Sequence, residues 1–319
     1  MKKVCILLST YNGEKYLEEL LCSIAEQSFL KNGEISILVR DDGSTDGTFE
    51  ILEKFKEKKE IFSLAWYKGE NLKPAKSFLD LIFYAKVAEY DYFAFCDQDD
   101  VWYKEKIDEM VKKIDEVGRK PALVYSAIDI VDSTLKKIGE YCADEQLVNS
   151  MEYCLYSLGD IQGCSMLINR ELMFFLQRKI PKTITMHDEY THKVCLSIGG
   201  NIVCIKKPLS AYRQHEENAV GFGNSSKGHR DIMVKRILRR CVGLTKHKKG
   251  YGVHALMLQE ILEIYDGLID EKNAILIRQF AYYNENIVSY LKQLFRKKSS
   301  IIPEHTFNKY IWLAEKGEY

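Results

Sequence analysis

The sequence predicts an α/β protein built on a mainly parallel sheet with helices on both faces, and three observations lead there. Five short apolar runs, at residues 4–8, 35–39, 61–66, 92–96 and 122–125, are continuous rather than alternating, as in strands covered on both faces. Between them, residues 14–27, 47–59, 75–88 and 103–117 space their apolar side chains by three and four, the period of amphipathic helices. Strand and helix in alternation build a parallel sheet through right-handed crossovers. The third observation is where polarity falls. The first, second and fourth runs end in polar clusters, and ligands of such sheets sit in the crevice beyond the carboxyl ends of the strands.

The first run follows Lys2 and Lys3 but stops at Ser9, too short for the apolar region of a signal peptide, so it reads as a strand. It leads into Ser9-Thr10-Tyr11-Asn12-Gly13, where Asn12-Gly13 signals a turn. The second leads into Arg40-Asp41-Asp42-Gly43-Ser44-Thr45-Asp46-Gly47, with Asp46 placed to cap the next helix. The fourth leads into Asp97-Gln98-Asp99-Asp100-Val101-Trp102. Beyond residue 160, short strands at 164–168, 202–205 and 209–212 surround one helix that begins near Asp188 and complete the same domain over residues 1–220. A hinge at Gly221-Phe222-Gly223-Asn224-Ser225-Ser226 opens a helical C-terminal region, 221–319, with helices near 228–241, 252–265, 271–297 and 303–317.

Composition narrows the function classes. With 319 residues, 46% hydrophobic and 29% charged, the chain suits a packed enzyme-sized protein rather than a disordered one. Forty-six basic and forty-six acidic residues cancel, which removes a whole-protein electrostatic case for nucleic acid. Nine scattered cysteines without a Cys-x-x-Cys pair argue against a disulfide framework and a thiolate metal site, and for a reducing compartment. No run of eighteen apolar residues predicts a transmembrane helix. One local asymmetry stands out: residues 225–250 hold nine Lys or Arg against Asp231 alone. Basic throughout 227–249 and interleaved with Ile232, Val234, Ile237, Leu238 and Val242, a helix there suits an anionic membrane surface, although a solvated face has the same pattern.

Asp97 and Asp99 lie two apart in an extended segment and so point to one side. Two anions held together call for a cation, and oxygen ligands select Mg²⁺ or Mn²⁺. The plainer explanation is a solvated acidic loop that caps the next helix.

The surrounding residues favour the cation. Ser9-Thr10-Tyr11-Asn12-Gly13, Asp41-Asp42-Gly43-Ser44-Thr45-Asp46-Gly47-Thr48, Asp97-Gln98-Asp99-Asp100-Val101-Trp102 and Tyr212-Arg213-Gln214-His215 resemble, in order and spacing, the inverting family-two glycosyltransferases over residues 1–220. With His187-Asp188 they look most like the bacterial rhamnosyltransferases that build cell-wall and capsular polysaccharides from dTDP-rhamnose. The resemblance implies a GT-A type, Rossmann-like sheet. It implies that Ser9, Tyr11 and Asp42 line the nucleoside pocket, Tyr11 stacking on the base and Asp42 accepting from the pyrimidine. Asp97 would face the ribose or the metal shell, and Asp99 would ligate a metal, Mn²⁺ or Mg²⁺, that neutralises the diphosphate. Lys76 is a candidate nucleotide contact and Arg213 a phosphate contact, with His215 completing the metal shell or touching the diphosphate.

Asp188 falls where the family places its general base, though an Asp before a helix is also a natural N-cap. Gly163, Cys164, Trp102 and His187 are candidates for the acceptor or sugar side, and His187 departs from the Glu-Asp of many members. The implied partners are a dTDP- or UDP-sugar donor and a glycan or polyprenyl-diphosphate-linked acceptor, at a cytoplasmic location peripheral to the inner face of the membrane. A UDP-hexose donor and a non-catalytic sugar-nucleotide-binding scaffold are the alternatives. A sugar-nucleotide pyrophosphorylase would show a glycine-rich N-terminal loop with Arg and Lys, which Ser9-Thr10-Tyr11-Asn12-Gly13 lacks.

Overall fold

The computed structural model describes residues 1–57, 61–157, 159–215 and 252–282, together with Thr306. Nine strands form one sheet: β1 (Lys2–Thr10), β2 (Gly33–Asp41), β3 (Ser63–Lys68), β4 (Tyr92–Asp97), β5 (Val101–Trp102), β6 (Ala122–Val131), β7 (Lys137–Tyr141), β8 (Met166–Asn169) and β9 (Asn201–Arg213). Their order is β3-β2-β1-β4-β8-β6-β9-β5, and β7 pairs with β6. The β3-β2-β1-β4 half is parallel throughout, as the apolar runs predict. β8 enters antiparallel between β4 and β6, while β9 runs parallel to β6.

Alternation along β1 shows why both faces are covered. Val4, Ile6 and Leu8 pack into one core with Leu17, Leu20, Leu21 and Ile24 of α1 (Leu17–Ala25), Leu52 and Phe55 of α2 (Thr48–Lys56), and Ile107, Met110 and Ile114 of α4 (Lys106–Asp115). Cys5 and Leu7 point the other way, toward Phe78 and Leu81 of α3 (Lys73–Tyr84). The same second core takes in α5 (Glu145–Val148), α6 (Met151–Tyr156), α7 (Arg170–Leu176) and α8 (His187–Ser197). It also takes in α9 (Val253–Ile264) and α10 (Glu271–Ala281), through Leu258, Ile261, Ile277 and Phe280. Each such buried aliphatic or aromatic side chain contributes about 1.5–3 kcal/mol.

Two strands predicted at 202–205 and 209–212 are one, β9. Pro208 lacks an N–H, and the pairing shifts register around Ser126 and Ala127, so the strand bends there without ending. The sequence reading also misses β5, β7 and α5 to α7, all short. The predicted helix at 252–265 corresponds to α9 and the first part of that at 271–297 to α10, whereas that at 228–241, that at 303–317 apart from Thr306, the hinge at 221–226 and the basic segment 227–249 lie outside the described residues, as does Cys241. No described helix is long and apolar enough to cross a membrane.

Candidate active site

The topology brings the polar clusters to one edge. Ser9 is in register with Arg40 of β2 on one side and Asp97 of β4 on the other. Because β8 is antiparallel to β4, the 3-10 turn Gly163–Ser165 that precedes it sits beside the same end of β4. β9 ends at Arg213 beside Val131, which delivers His215 to that edge as well.

Gln98 stitches the first and fourth loops together. Its Oε1 accepts from Thr10 Oγ1 at 2.7 Å and Tyr11 N at 2.9 Å, and its Nε2 donates to Tyr11 O at 3.1 Å. A Cβ on Gly13 would come within 2.6 Å of that Oε1, so a larger residue there would push the Gln98 amide out of its bonds. The Tyr11 backbone is thus fixed while its ring is 46% exposed and free to stack. Ser9 Oγ lies 2.6 Å from Ser77 Oγ.

The second loop is closed on itself. Asp42 accepts from Arg40, from Leu72 N at 3.0 Å and from Lys73 N at 3.0 Å, so its buried carboxylate caps the start of α3. Both oxygens that the sequence reading offers to a pyrimidine are already engaged by the protein. Arg40 is itself buried and also donates to Asp80 Oδ2 at 2.9 Å and Glu70 O at 3.0 Å. Lys76 is exposed on the first turn of α3.

The fourth loop is different. Asp97 is pushed up to about 7 by burial, then by the neighbouring charges of Asp99 and Asp188, with Lys106 opposing. Asp100 is buried and likewise pushed up, first by burial and then by Asp99 and Asp97. Its Oδ1 accepts from Arg213 N at 3.2 Å, while its buried Oδ2 has no N–H or O–H donor among the described residues and the Cys164 thiol lies against the carboxylate. Asp99 Oδ2 lies 2.7 Å from His215 Nε2. One ligand atom each from Asp97, Asp100 and Cys164 also falls within 4.8 Å of the others. Crowded carboxylates, one with an oxygen that no described N–H or O–H reaches and another beside an imidazole, fit a hard divalent cation. The Cys164 thiol fits it poorly, being soft and held protonated by burial and by the adjacent Asp100.

Asp188 is the second residue of α8, and the N-cap is Met186. Its Oδ1 accepts from Glu189 N at 2.7 Å, so it satisfies one N–H of the first turn without occupying the cap position. Its Oδ2 accepts from Gly163 N at 3.1 Å. Burial raises Asp188 to about 6, against the pull of those backbone donors. A carboxylate poised there is ionised at neutral pH and still basic enough to take a proton.

Three sequence candidates sit elsewhere than expected. The His187 ring is in the core, stacked on Phe78 at 3.8 Å and edge-on to Phe95 at 4.8 Å, and burial lowers its pKa to about 3. Its place beside Gly163, where a Cβ would meet His187 Nε2 at 2.3 Å, makes it a wall under the turn rather than a sugar contact. Trp102 is 2% exposed, beneath the Lys106 ammonium, and packs in the core with α1 and α4. Arg213 is committed to Asp99 O at 2.8 Å, Ser133 O at 2.9 Å and Glu19, and lies over the Tyr16 ring, so it braces the acidic loop instead of awaiting phosphate. The residues that sequence reasoning missed are Gln98, Arg40 and Lys106. For Lys106 a signal was present, since it falls four residues before Met110 on the apolar stripe of α4.

The glycosyl transferase family 2 model matches residues 5–172, which contain the first, second and fourth loops and the Gly163 turn. The chain belongs to this family. The dTDP-rhamnosyl transferase RfbG of Shigella flexneri is 32% identical over 236 residues, 69% of this chain and 75% of that one. The poly(ribitol-phosphate) β-N-acetylglucosaminyltransferase TarS of Staphylococcus aureus is 38% identical over 118 residues, 36% of this chain and 19% of its own length. In structure, TarS 1–349 in complex with UDP-GlcNAc matches with a TM-score of 0.58 at 17% identity, covering 100% of this chain and 89% of that one. The mixed, mostly parallel sheet flanked by helices is therefore a GT-A glycosyltransferase fold.

Proposed function

We propose that this family 2 glycosyltransferase moves L-rhamnose from dTDP-rhamnose onto a growing cell-surface polysaccharide or lipid-linked glycan, with inversion. The observation that carries the reading is the convergence of Asp188 with the acidic loop, close enough for its charge to raise Asp97. One side of the site holds a poised base and the other a cluster suited to the charge of a departing diphosphate. An acceptor hydroxyl attacks the anomeric carbon as its proton passes to Asp188, and the bond to the nucleoside diphosphate breaks. Asp97, Asp99 and His215 would hold the Mg²⁺ or Mn²⁺, which supplies positive charge to the leaving diphosphate. Tyr11, exposed on a rigid backbone, stacks on the base, with Ser9 beside it.

The rhamnosyl donor is favoured by the similarity to RfbG over most of both chains, and a UDP-hexose donor is the alternative that the TarS similarity favours. The basic segment 227–249 belongs to this reading as a peripheral contact with the inner leaflet, where lipid-linked acceptors are displayed. Nucleotide release from a panel of dTDP- and UDP-sugars, with Mn²⁺ and with excess chelator, tests it. Turnover of dTDP-rhamnose that chelator abolishes is expected. Full activity in chelator would sink the metal, and selective turnover of a UDP-sugar would replace the donor.

A further inference from the structure

Lys106 is fully buried, at the first turn of α4, and among the described residues it forms no ion pair with a carboxylate. Its ammonium donates to Cys164 O at 2.5 Å and to Ser210 Oγ at 3.3 Å, and lies 4.2 Å from the centre of the Trp102 ring. Burying a charge this deeply costs several kcal/mol unless its surroundings compensate. Burial lowers the Lys106 pKa from its ordinary value, and a carbonyl, a hydroxyl, an aromatic face and the field of Asp100 and Asp97 offset that in part.

The residue it holds is the middle of the Gly163–Ser165 turn, and that turn has a second attachment, because Gly163 N–H donates to Asp188 Oδ2 at 3.1 Å. A third is the Cys164 thiol, which lies in the cluster with Asp97 and Asp100. One short turn thus touches the base and the acidic loop. We propose that Lys106 is a positioning residue that joins the two sides of the site, anchoring the turn that orients Asp188 and serving as a resident counter-charge for Asp97 and Asp100. The first role rests on the reading of Asp188 as base; the second does not. A built-in cation keeps the carboxylates together before any metal arrives, and it also weakens metal binding by repulsion.

The test uses the full chain and Lys106→Met, which keeps an apolar stem, Lys106→Gln, which keeps a donor, and Gly163→Ala, which keeps the ammonium but forces the turn off His187. Mn²⁺ affinity without donor is read from the signal of free Mn²⁺ in spin resonance, and kcat and donor KM from nucleotide release. Both Lys106 variants should bind Mn²⁺ about tenfold more tightly than wild type, since a like charge has been removed from a weakly screened site. Lys106→Met and Gly163→Ala should lose about tenfold or more in kcat, with donor KM within about threefold, the mark of a misplaced base rather than a damaged donor pocket. Gly163→Ala should leave Mn²⁺ affinity within about twofold. A Lys106 that only fills space would leave Mn²⁺ affinity unchanged in both of its variants, and that result overturns the proposal. Should Lys106→Met fail to fold, Lys106→Gln decides the charge and Gly163→Ala the turn. Absence of transfer by the wild-type protein with every nucleotide sugar would remove the base and leave the Mn²⁺ comparison standing.

Discussion

Two aspartate-rich loops close neighbouring parts of one sheet edge, after β2 and after β4, and they treat their charges in opposite ways. In the first, Asp41 accepts from the N–H and hydroxyl of Ser44, and Asp42 from Arg40 and two backbone N–H groups. In the second, Asp97 and Asp100 crowd each other and Asp99, one oxygen of Asp100 has no N–H or O–H donor among the described residues, and the Lys106 ammonium donates to Cys164 O and Ser210 Oγ rather than to either carboxylate. Asp41, Asp42 and Asp100 are buried and Asp97 and Asp99 half-buried, so the loops differ in the partners of their carboxylates as well as in exposure. A satisfied buried carboxylate holds the scaffold together, whereas an unsatisfied one stores a cost that a ligand can relieve. The first loop should therefore break folding when altered, and the second should break chemistry.

The largest expected effect lies on the chemical side. Asp188→Asn keeps the length and one acceptor oxygen, enough for the Glu189 N–H or the Gly163 N–H but not both, and removes the basic site. Transfer should fall about 10²–10⁴-fold, with a stability loss of no more than the about 1–3 kcal/mol that one forfeited buried hydrogen bond costs. Near-normal transfer by this variant would reduce Asp188 to a helix-start residue. On the scaffold side, Asp42→Ala leaves the Arg40 guanidinium short of a partner and strips an acceptor from the first N–H groups of α3. The expected loss is about 3 kcal/mol or more of stability, read by urea unfolding. A loss under about 0.5 kcal/mol would mean that the network is ornamental. Between these lies the pH profile: with Asp188 near 6, transfer should decline about tenfold per unit on the acid side of pH 6 and level off above it. An acid limb that persists unaltered in Asp188→Asn would assign the titration elsewhere.

Much of this architecture was legible because long, doubly covered strands leave continuous apolar runs, and the polar residues that interrupt them mark the ligand edge. β5 has two residues and α5 four, too few for any period to register. The site was legible as positions and less so as orientations. His187 and Asp188 are adjacent in sequence, yet successive residues on a helix diverge by about 100°, so one carboxylate reaches the turn while the neighbouring ring enters the core. Arg40, at the end of an otherwise apolar run, and Lys106, on the apolar stripe of α4, are single charges where the pattern calls for hydrocarbon. Such exceptions identify buried ion chemistry, but which carboxylate each one serves depends on pairing across the sheet, which no local pattern encodes.

The smallest effect discriminates most finely, because the same substitution should change sign between the two loops. In the folded protein Asp97 is raised from 3.8 to about 7 by burial and by Asp99 and Asp188, with Lys106 only partly offsetting them. Between those values the folded chain binds more protons than the unfolded chain, so stability falls as pH rises through the window. The penalty is complete above about pH 7 and vanishes below about pH 4. Asp97→Asn deletes the charge and with it the penalty, so in chelator at pH 8 the variant should melt a few degrees above wild type, about 2–4 °C for each kcal/mol relieved. Asp42→Asn, under the same conditions, should melt below wild type. Added Mn²⁺ should narrow or reverse the advantage of Asp97→Asn, since binding stabilises only a protein that retains its ligands. Scanning calorimetry of the three proteins at pH 5 and pH 8, with chelator and with Mn²⁺, reads all of these differences at once. If Asp97→Asn melts below wild type at pH 8 in chelator, Asp97 is as well satisfied as Asp42, and the contrast between the loops does not exist.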